Sequence, residues 1–294
     1  MERSPLSPDW RLFAVAVLVA GSLTGCRAGA ARLGTGRLLR GPSATVTTSR
    51  EFLPAGIREV AVEADAGDVT FSPSETGRIE VHLRVTASGR KTEAELKRLA
   101  EAIGVRAEVR AGKVEVRVEA RGEKIRDVEL QTAVTVAVPN GLRNTARGDG
   151  CRITAQALEG AFSLTTGTGS ILLADARGAV DATVRQGDAE VFTHDSGGQP
   201  VSIQVDAGQL SFQGKAKKFT GRVKNGLADV ILDTMPDQTS IQVDTGDVEL
   251  SVPPPVEVPE GVSLTLRSAR GQIDPYDLNL SDLPRPVGKI PTWH

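Results

Sequence analysis

The residues best suited to chemistry in this 294-residue chain are four aspartates that each follow a glycine. They are Asp68, Asp149, Asp188 and Asp247. Stacked carboxylates are the oxygen ligands that calcium prefers. However, the G-G-x-G-x-D pattern of calcium-binding β-rolls is missing, and other residue types occupy the equivalent place elsewhere in the chain. These are Ser170, Gln209, Leu227 and Gln272. We therefore predict that the aspartates serve turns, where they bond local backbone amides, and we predict no metal site.

The other candidate nucleophiles and ligands are isolated. Cys151, in "GDGCRITA", is expected to be a small buried apolar residue. The three histidines are scattered, and His194-Asp195-Ser196 cannot form a triad because a triad is assembled across a fold. The sequence contains no P-loop, dinucleotide fingerprint, CxxC pair or HExxH motif. We predict neither catalysis nor a cofactor.

One local group of basic residues lies between residues 215 and 224. It contains Lys215, Lys217, Lys218, Arg222 and Lys224. Such a group suits an anionic glycan, or it is a solvated loop that discourages edge pairing of strands. The net charge of −2, with both signs interspersed and only 3% aromatic residues, argues against nucleic-acid binding.

Glycines mark the corners of a repeated pattern of two short strands. The corner glycines are Gly148, Gly169, Gly187, Gly208, Gly226, Gly246 and Gly271. The six intervals contain 21, 18, 21, 18, 20 and 25 residues. A period near twenty residues predicts a mainly β protein whose residues 142–274 form a β-solenoid of about six coils. Strand–glycine–strand is also a hairpin signal, so an antiparallel β-meander or barrel stays open as the alternative.

Apolar residues alternate around each corner and predict the inward side of the coils. The predicted core positions are Ile171, Leu173, Val191, Ile203, Val205, Leu210, Phe212, Val230, Leu232, Ile241, Val243, Val248 and Leu250. Residues 51–141 are predicted to form a small α+β cap, in which strands of alternating apolar and polar residues surround one helix. The helix begins at a capping box formed by Thr92 and Glu95 and is expected to end at Gly104. Residues 275–294 are predicted to cover the last coil.

The N-terminus resembles a bacterial lipoprotein signal peptide. An apolar run in "RLFAVAVLVAGSLTGC" (11–26) ends in Leu23, Thr24, Gly25 and Cys26, which is similar to the lipobox. The resemblance implies that residues 1–25 are removed, that Cys26 carries the lipid, and that 26–50 form a flexible tether. Since arginine and not aspartate follows Cys26, the resemblance to bacterial lipoproteins implies the outer membrane if the source is Gram-negative.

The alternation in "VTVAVPNGLRNTARGDGCRITAQALEG" (134–160), followed by serial glycine corners, resembles the bacterial "putative adhesin" family of unknown function. The likeness covers residues 56–274. It implies a β-solenoid at the cell envelope and provides no catalytic residues to transfer. We expect a lipid-anchored protein that binds an envelope polysaccharide or protein. A structural or assembly factor of the envelope and a carbohydrate-active enzyme on a β-helix scaffold are the alternatives.

The lipid anchor is testable at one residue. Cys26→Ser removes the thiol that would carry the lipid, so we expect the protein to move from the membrane pellet to the soluble fraction. Arg27→Ala, which keeps the thiol, is the matched control and should stay in the pellet. If Cys26→Ser remained with the membranes, the anchor would be wrong.

Overall fold

The computed structural model describes residues 41–120, 127–193, 198–252 and 263–276. Within these ranges the protein is mainly β, and its strands form one open sheet with one helix. The predicted signal peptide, the lipobox and Cys26 lie outside the described residues. So do His194, His294 and all but the first two residues of the predicted C-terminal cap, 275–294.

The first part of the chain contains seven strands and the helix. They are β1 (Ser43–Phe52), β2 (Glu59–Ala64), β3 (Ala66–Pro73), β4 (Ile79–Gly89), α1 (Glu93–Ala102), β5 (Ile103–Arg110), β6 (Lys113–Ala120) and β7 (Val128–Val138). The repeats follow as β8 (Arg143–Gly148), β9 (Gly150–Gln156), β10 (Phe162–Ala174), β11 (Val180–Thr193), β12 (Pro200–Gly214), β13 (Lys218–Leu232), β14 (Gln238–Thr245), β15 (Val248–Ser251), β16 (Ser263–Ser268) and β17 (Ile273–Tyr276).

Consecutive repeats pair in parallel and in register. In β10 and β11, Phe162 lies opposite Val180 before the corner, and Ile171 lies opposite Ala189 after it. We call the strands before the corner the first face: β8, the first halves of β10 to β13, β14 and β16. We call the strands after the corner the second face: β9, the second halves of β10 to β13, β15 and β17. Equivalent positions therefore stack in columns with a spacing of about 4.8 Å.

The stacking begins before residue 142, where the predicted boundary lies. β2 pairs in parallel with both β6 and β8, and β3 pairs in parallel with β7 and β9. Strands β2 and β3 therefore form the same two-strand unit as the later repeats, around Gly67. The boundary was wrong because β4, α1 and β5 are inserted between β3 and the strands that stack on it, which hides the period in the sequence.

The N-terminal edge also differs from the expected tether. Residues 26–50 were predicted to be flexible, but Ser43–Phe52 form β1, which pairs antiparallel with β4 from Ser88 to Ile79. The β-branched residues of this stretch suit a strand, and Ala44 is buried against the core. The tether prediction is therefore wrong from residue 43 onward, and residues 26–40 lie outside the described ranges.

Helix α1 has the predicted start and a different end. The capping box is confirmed, because the Glu95 backbone N–H donates to Thr92 Oγ1 at 3.3 Å and the Thr92 backbone N–H donates to Glu95 Oε2 at 3.0 Å. The helix ends at Ala102 rather than at Gly104, because Ile103 already begins β5, a strand that the sequence reading missed. β5 pairs antiparallel with β6, and its apolar residues Ile103, Val105, Ala107 and Val109 alternate with Gly104 and charged residues, so the strand signal was present in the sequence.

In the described part of the chain, no helix has the length and apolar character needed to cross a membrane.

The core fills the space between the two faces. All thirteen predicted inward residues, from Ile171 to Leu250, are buried. Most are aliphatic, and Phe212 stacks on Phe219 with ring centroids 4.5 Å apart. Burial of this continuous apolar column is the main stabilising contribution, since a single repeat of about 20 residues cannot bury an apolar side alone.

The corner glycines share one register and have backbone angles that other residues avoid. Gly187, for example, has φ +130°, and a Cβ there would overlap the carbonyl oxygen of Gly169 in the preceding repeat. The column contains Gly67, Gly169, Gly187, Gly208, Gly226, Gly246 and Gly271. These residues allow backbones to approach within one strand spacing at the bend.

Gly148 is the exception among the predicted corners. It pairs with Thr166, three residues before the column, while Cys151 occupies the column position opposite Gly67. The prediction placed Gly148 at the corner because "GD" opens the segment, as it does at Gly187 and Gly246. A Cβ at Gly148 would overlap the Ala64 carbonyl oxygen and the Cys151 sulfur, so this glycine makes room for both.

Replacing a column glycine should cost more than replacing a glycine in an open turn. Gly226→Ala adds backbone strain at φ +146° and a clash with the Gly208 carbonyl. We expect it to lower the free energy of unfolding by about 3 kcal/mol. Gly77→Ala is the control, with φ +72° and nothing near its Cβ, and should cost about 1 kcal/mol. If denaturant unfolding showed the same loss of free energy of unfolding for both variants, this role of the glycine column would be wrong.

Candidate functional site

The outer side of the first face carries a column of small polar side chains. All but the last lie between two buried neighbours and therefore point outward, and the last lies between two half-buried leucines. Parallel pairing places them directly above one another, one per repeat. In order they are Thr145, Ser163, Asp181, Ser202, Thr220, Ser240 and Thr265. Six of the seven are hydroxyl residues, so this column presents repeated donors and acceptors in a line.

A second column on the same face lies two residues further along each strand. Its members are Arg147, Thr165, Thr183, Gln204, Arg222, Gln242 and Arg267. Two glutamines of this column donate to the next outward residue of their own strand: Gln204 Nε2 to Asp206 Oδ1 at 3.1 Å, and Gln242 Nε2 to Asp244 Oδ1 at 3.0 Å. These hydrogen bonds orient the two amide groups. The three arginines of the column form no ion pair within the described residues.

The basic group predicted from the sequence lies mainly on this face. Lys218, Arg222 and Lys224 occupy alternate outward positions of β13, and Lys215 and Lys217 lie in the loop before it. Lys224 Nζ lies 2.9 Å from Asp206 Oδ1, and this bond lowers the pKa of Asp206. Among the described residues, no carboxylate forms an ion pair with Lys218 or Arg222. Two of these cations are therefore available to a ligand.

The second face has the opposite charge. Between β10 and β17 its outward positions hold six carboxylates and, in the described residues, no lysine or arginine. The six are Asp188, Glu190, Asp229, Asp247, Glu249 and Asp274. Asp229, Glu249 and Asp274 stand opposite one another in three consecutive repeats. Like charges at this spacing repel, so the arrangement favours a cationic neighbour.

Partly exposed apolar side chains lie among these carboxylates. Leu172, Leu227 and Ile231 are half-buried, and Phe192 is 36% exposed. They occupy outward positions of β10, β11 and β13. The second face therefore combines negative charge with apolar contact area.

The glycine-linked aspartates do not form a single cluster. Asp188 Oδ1 accepts from the Gln209 backbone N–H at 3.0 Å, and Asp247 Oδ1 accepts from the Gln272 backbone N–H at 2.8 Å. Each carboxylate thus bonds the next repeat, where the sequence reading expected a local amide. In the described ranges, no three His, Cys, Asp or Glu side chains lie close enough to hold a metal ion.

Asp149 belongs to a different column. The register places it two residues before the corner column, beside Asp65 and Gly167, and not with Asp188. Its Oδ1 atom pairs with Arg185 Nη2 at 2.7 Å, with both side chains largely exposed. The sequence reading grouped it with the corner aspartates because the stacking register cannot be read from "GD" alone.

Cys151 is buried, as predicted, and its thiol is a structural donor. Sγ donates to the carbonyl of Ala64 at 2.9 Å, and the Thr166 hydroxyl donates to the carbonyl of Cys151 at 2.9 Å. Burial, reinforced by the negative charge of Asp65, raises the pKa of the thiol to about 11. A protonated, inaccessible sulfur is unsuited to nucleophilic attack.

His82 is on the surface, away from Cys151. It points outward from β4, with Nδ1 2.9 Å from Ser49 Oγ and Nε2 3.6 Å from Glu80. The structure therefore brings no thiol and imidazole together within the described residues.

A shallow depression lies where the chain turns between repeats. Asn140, Glu159, Asp175 and Arg177 line it from exposed positions, and Leu158 forms its floor. The two carboxylates come from equivalent turns, in which Ala157 and Asp175 both have φ +53°. The depression is open to solvent on the outer side of these turns, so it offers no enclosed substrate site.

The polar columns were not identified from the sequence, although a signal was present. Each repeat carries a polar residue at alternate positions before its corner, as in "SIQVD" at both 202–206 and 240–244. Alignment of the repeats on Gly208 and Gly246 would have placed these residues in register.

Comparisons with known proteins give structural neighbours only. No protein-family model matches the chain, and no curated protein does. A structure from Bacteroides fragilis described as a "putative adhesin" is 13% identical and has a TM-score of 0.46, covering 78% of this chain and 97% of its own. A "putative cell adhesion protein" from Clostridium sporogenes is 10% identical, with a TM-score of 0.37 and coverage of 79% and 98%.

A third neighbour, from Parabacteroides distasonis, is described as a "putative lipid binding protein". It is 10% identical, has a TM-score of 0.27, and covers 78% of this chain and 96% of its own. The neighbours named as adhesins bear the name of the family that the repeats resemble.

The Cys151 thiol should be inert in the folded protein. In a Cys26→Ser background, where Cys151 is the remaining cysteine, we expect a thiol reagent at about pH 8 to label the protein only as fast as it unfolds. Labelling in concentrated guanidinium should be complete within the mixing time. Rapid labelling of the folded protein would show an accessible thiolate and contradict the structural role.

Proposed function

We propose that this protein is a lipid-anchored envelope protein that displays a β-solenoid of about six coils and binds an anionic polysaccharide on the first face. The observation that carries the proposal is the position of Lys218, Arg222 and Arg267 beside a column of hydroxyl groups on one flat surface. Basic side chains select the charge of the ligand, and hydroxyl and amide groups bond its sugar hydroxyls.

The dimensions of the face suit an extended polymer. Seven repeats stacked about 4.8 Å apart give a surface about 30 Å long. Arg222 and Arg267 lie in one column two repeats apart, which separates their backbones by about 10 Å. A chain with an acidic group on every second or third sugar can meet both cations without bending.

The proposal includes an anchored coil architecture. Parallel, in-register pairing of successive repeats supports coils, in which equivalent positions stack. Cys26 would hold the protein on the membrane, at the outer membrane if the source is Gram-negative. Residues 27–40 contain four arginines and would connect the lipid to β1. Display away from the membrane would leave both faces accessible.

The proposal assigns no reaction to this chain. The enzyme alternative would place two carboxylates beside a bound glycan. On the first face Asp181, Asp206 and Asp244 lie on three different strands, and Asp206 and Asp244 accept from Gln204 and Gln242. Glu159 and Asp175 line the shallow depression together. They lie at the turns, whereas the basic residues lie on β13 and β16. A structural or assembly role remains the second alternative and predicts no saturable glycan binding.

The proposed ligand is tested by removing three of the unpaired cations of the first face. In Lys218→Ala/Arg222→Ala/Arg267→Ala, we expect affinity for polygalacturonate to fall at least about tenfold, because three charge-assisted contacts are lost. Binding by the unmodified protein should weaken as salt rises, and neutral dextran should not bind. Calorimetry or co-sedimentation measures both.

The control variant is Arg84→Ala/Lys97→Ala/Arg98→Ala, which makes the same charge change at exposed positions of β4 and α1. It should bind as the unmodified protein does. If both variants lost affinity for polygalacturonate equally, the effect would be one of net charge alone. Absence of saturable binding by the unmodified protein would overturn the proposed ligand.

A further inference from the structure

We propose that the second face docks on the first face of another copy of this protein. The two faces of the repeats carry opposite charge. Between β10 and β17 the second face has six carboxylates and no described cation, whereas between β10 and β16 the first face has five basic and three acidic residues, a net charge of +2. The five are Arg185, Lys218, Arg222, Lys224 and Arg267. This inference shares the first face with the proposed function and does not depend on glycan binding.

The second face contains a column of three stacked acidic residues that lacks a cationic partner within the described part of the chain. Asp229, Glu249 and Asp274 are stacked on three consecutive repeats without an ion-pair partner among the described residues. Direct stacking of like charges destabilises a sheet. A cationic surface brought against them would relieve this repulsion.

The first face has cations at a matching period. Arg222 and Arg267 are two repeats apart in one column, which is also the separation of Asp229 and Asp274. Because both faces belong to the same stack, their charges share one strand spacing by construction. The first face also carries Asp181, Asp206 and Asp244, of which Asp206 is bonded to Lys224 and Asp244 accepts from Gln242. Because Lys224 and Arg185 are paired with Asp206 and Asp149, the cations of this set left for a partner are Lys218, Arg222 and Arg267.

Apolar groups on the second face provide contact area between the charges. Leu172, Leu227 and Ile231 lie beside the acidic positions and meet a first face whose threonines also carry methyl groups. Six repeats and five residues per strand give a flat face of about 500 Å² per partner. Such an area is typical of weak interfaces, which suit a protein concentrated by its anchor on a membrane.

The geometry of this contact determines the type of assembly. The contact joins different surfaces of two identical chains, so a pair of copies leaves one first face and one second face unused. Such contacts extend into rows and do not close into a dimer. Anchored copies would associate side by side, and an anionic polymer would compete for the first face.

The experiment is sedimentation velocity on the Cys26→Ser protein, from micromolar to near-millimolar concentration. At about 20 mM sodium chloride we expect association that grows with concentration, and at about 300 mM we expect it to weaken at least tenfold. Asp229→Lys/Glu249→Lys/Asp274→Lys alone should be monomeric, as should Lys218→Glu/Arg222→Glu/Arg267→Glu alone. Mixing the two should restore association at 1:1 stoichiometry, because the unaltered acidic face of one variant meets the unaltered basic face of the other, and the two reversed faces are also opposite in charge.

The matched control is Glu75→Lys/Glu93→Lys/Glu101→Lys, which reverses three exposed acids near β3 and on α1. It should associate like the parent. A monomeric parent at every concentration, unaffected association in either reversal variant, or a mixture that stays monomeric would each overturn the proposal. Polygalacturonate added to the parent separates the two functions: glycan binding without self-association supports only the first, and self-association without glycan binding supports only the second.

Discussion

The structure depends on close stacking of backbones at the corner column. At Gly187 and its equivalents, the carbonyl oxygen of the preceding repeat occupies the volume that a side chain would need. Backbone hydrogen bonds between repeats can therefore continue through the bend, and β10 to β13 each run from one face to the other without interruption. Because every repeat bends at the same register, equivalent side chains stack with one strand spacing.

Because of this constraint, equivalent residues of successive repeats form continuous surfaces. A lone Asp229 or Arg222 on a strand would be an ordinary solvated charge. Repetition places similar residues above and below, so charge and hydrogen-bonding capacity accumulate along a column. The two faces then differ in character although the same repeats build both. Hydroxyl, amide and basic groups stand before the corner, and carboxylates with apolar side chains stand after it.

Residues that look chemical in the sequence are used to maintain the stack. Asp188 and Asp247 bond backbone amides of the next repeat, at the point where the bend leaves those amides accessible. Cys151 takes the place of a corner glycine and donates to the repeat before it, while Thr166 in the next repeat donates to the Cys151 carbonyl. Satisfying buried polar groups in this way supports the corner where glycine is absent.

The sequence alone determined the alternation of each strand, the inward residues from Ile171 to Leu250, and the capping box at Thr92. These are local properties, since side-chain period and capping act over a few residues. Only the tertiary structure decided which residues stack. It placed Cys151 and not Gly148 in the corner column, joined β2 and β3 to the repeats across an insertion, and paired β1 with β4. Parallel register is set by contacts between residues far apart in the chain, and many registers satisfy the same local pattern. The opposite charges of the two faces follow from that register, so they emerged only when the repeats were stacked.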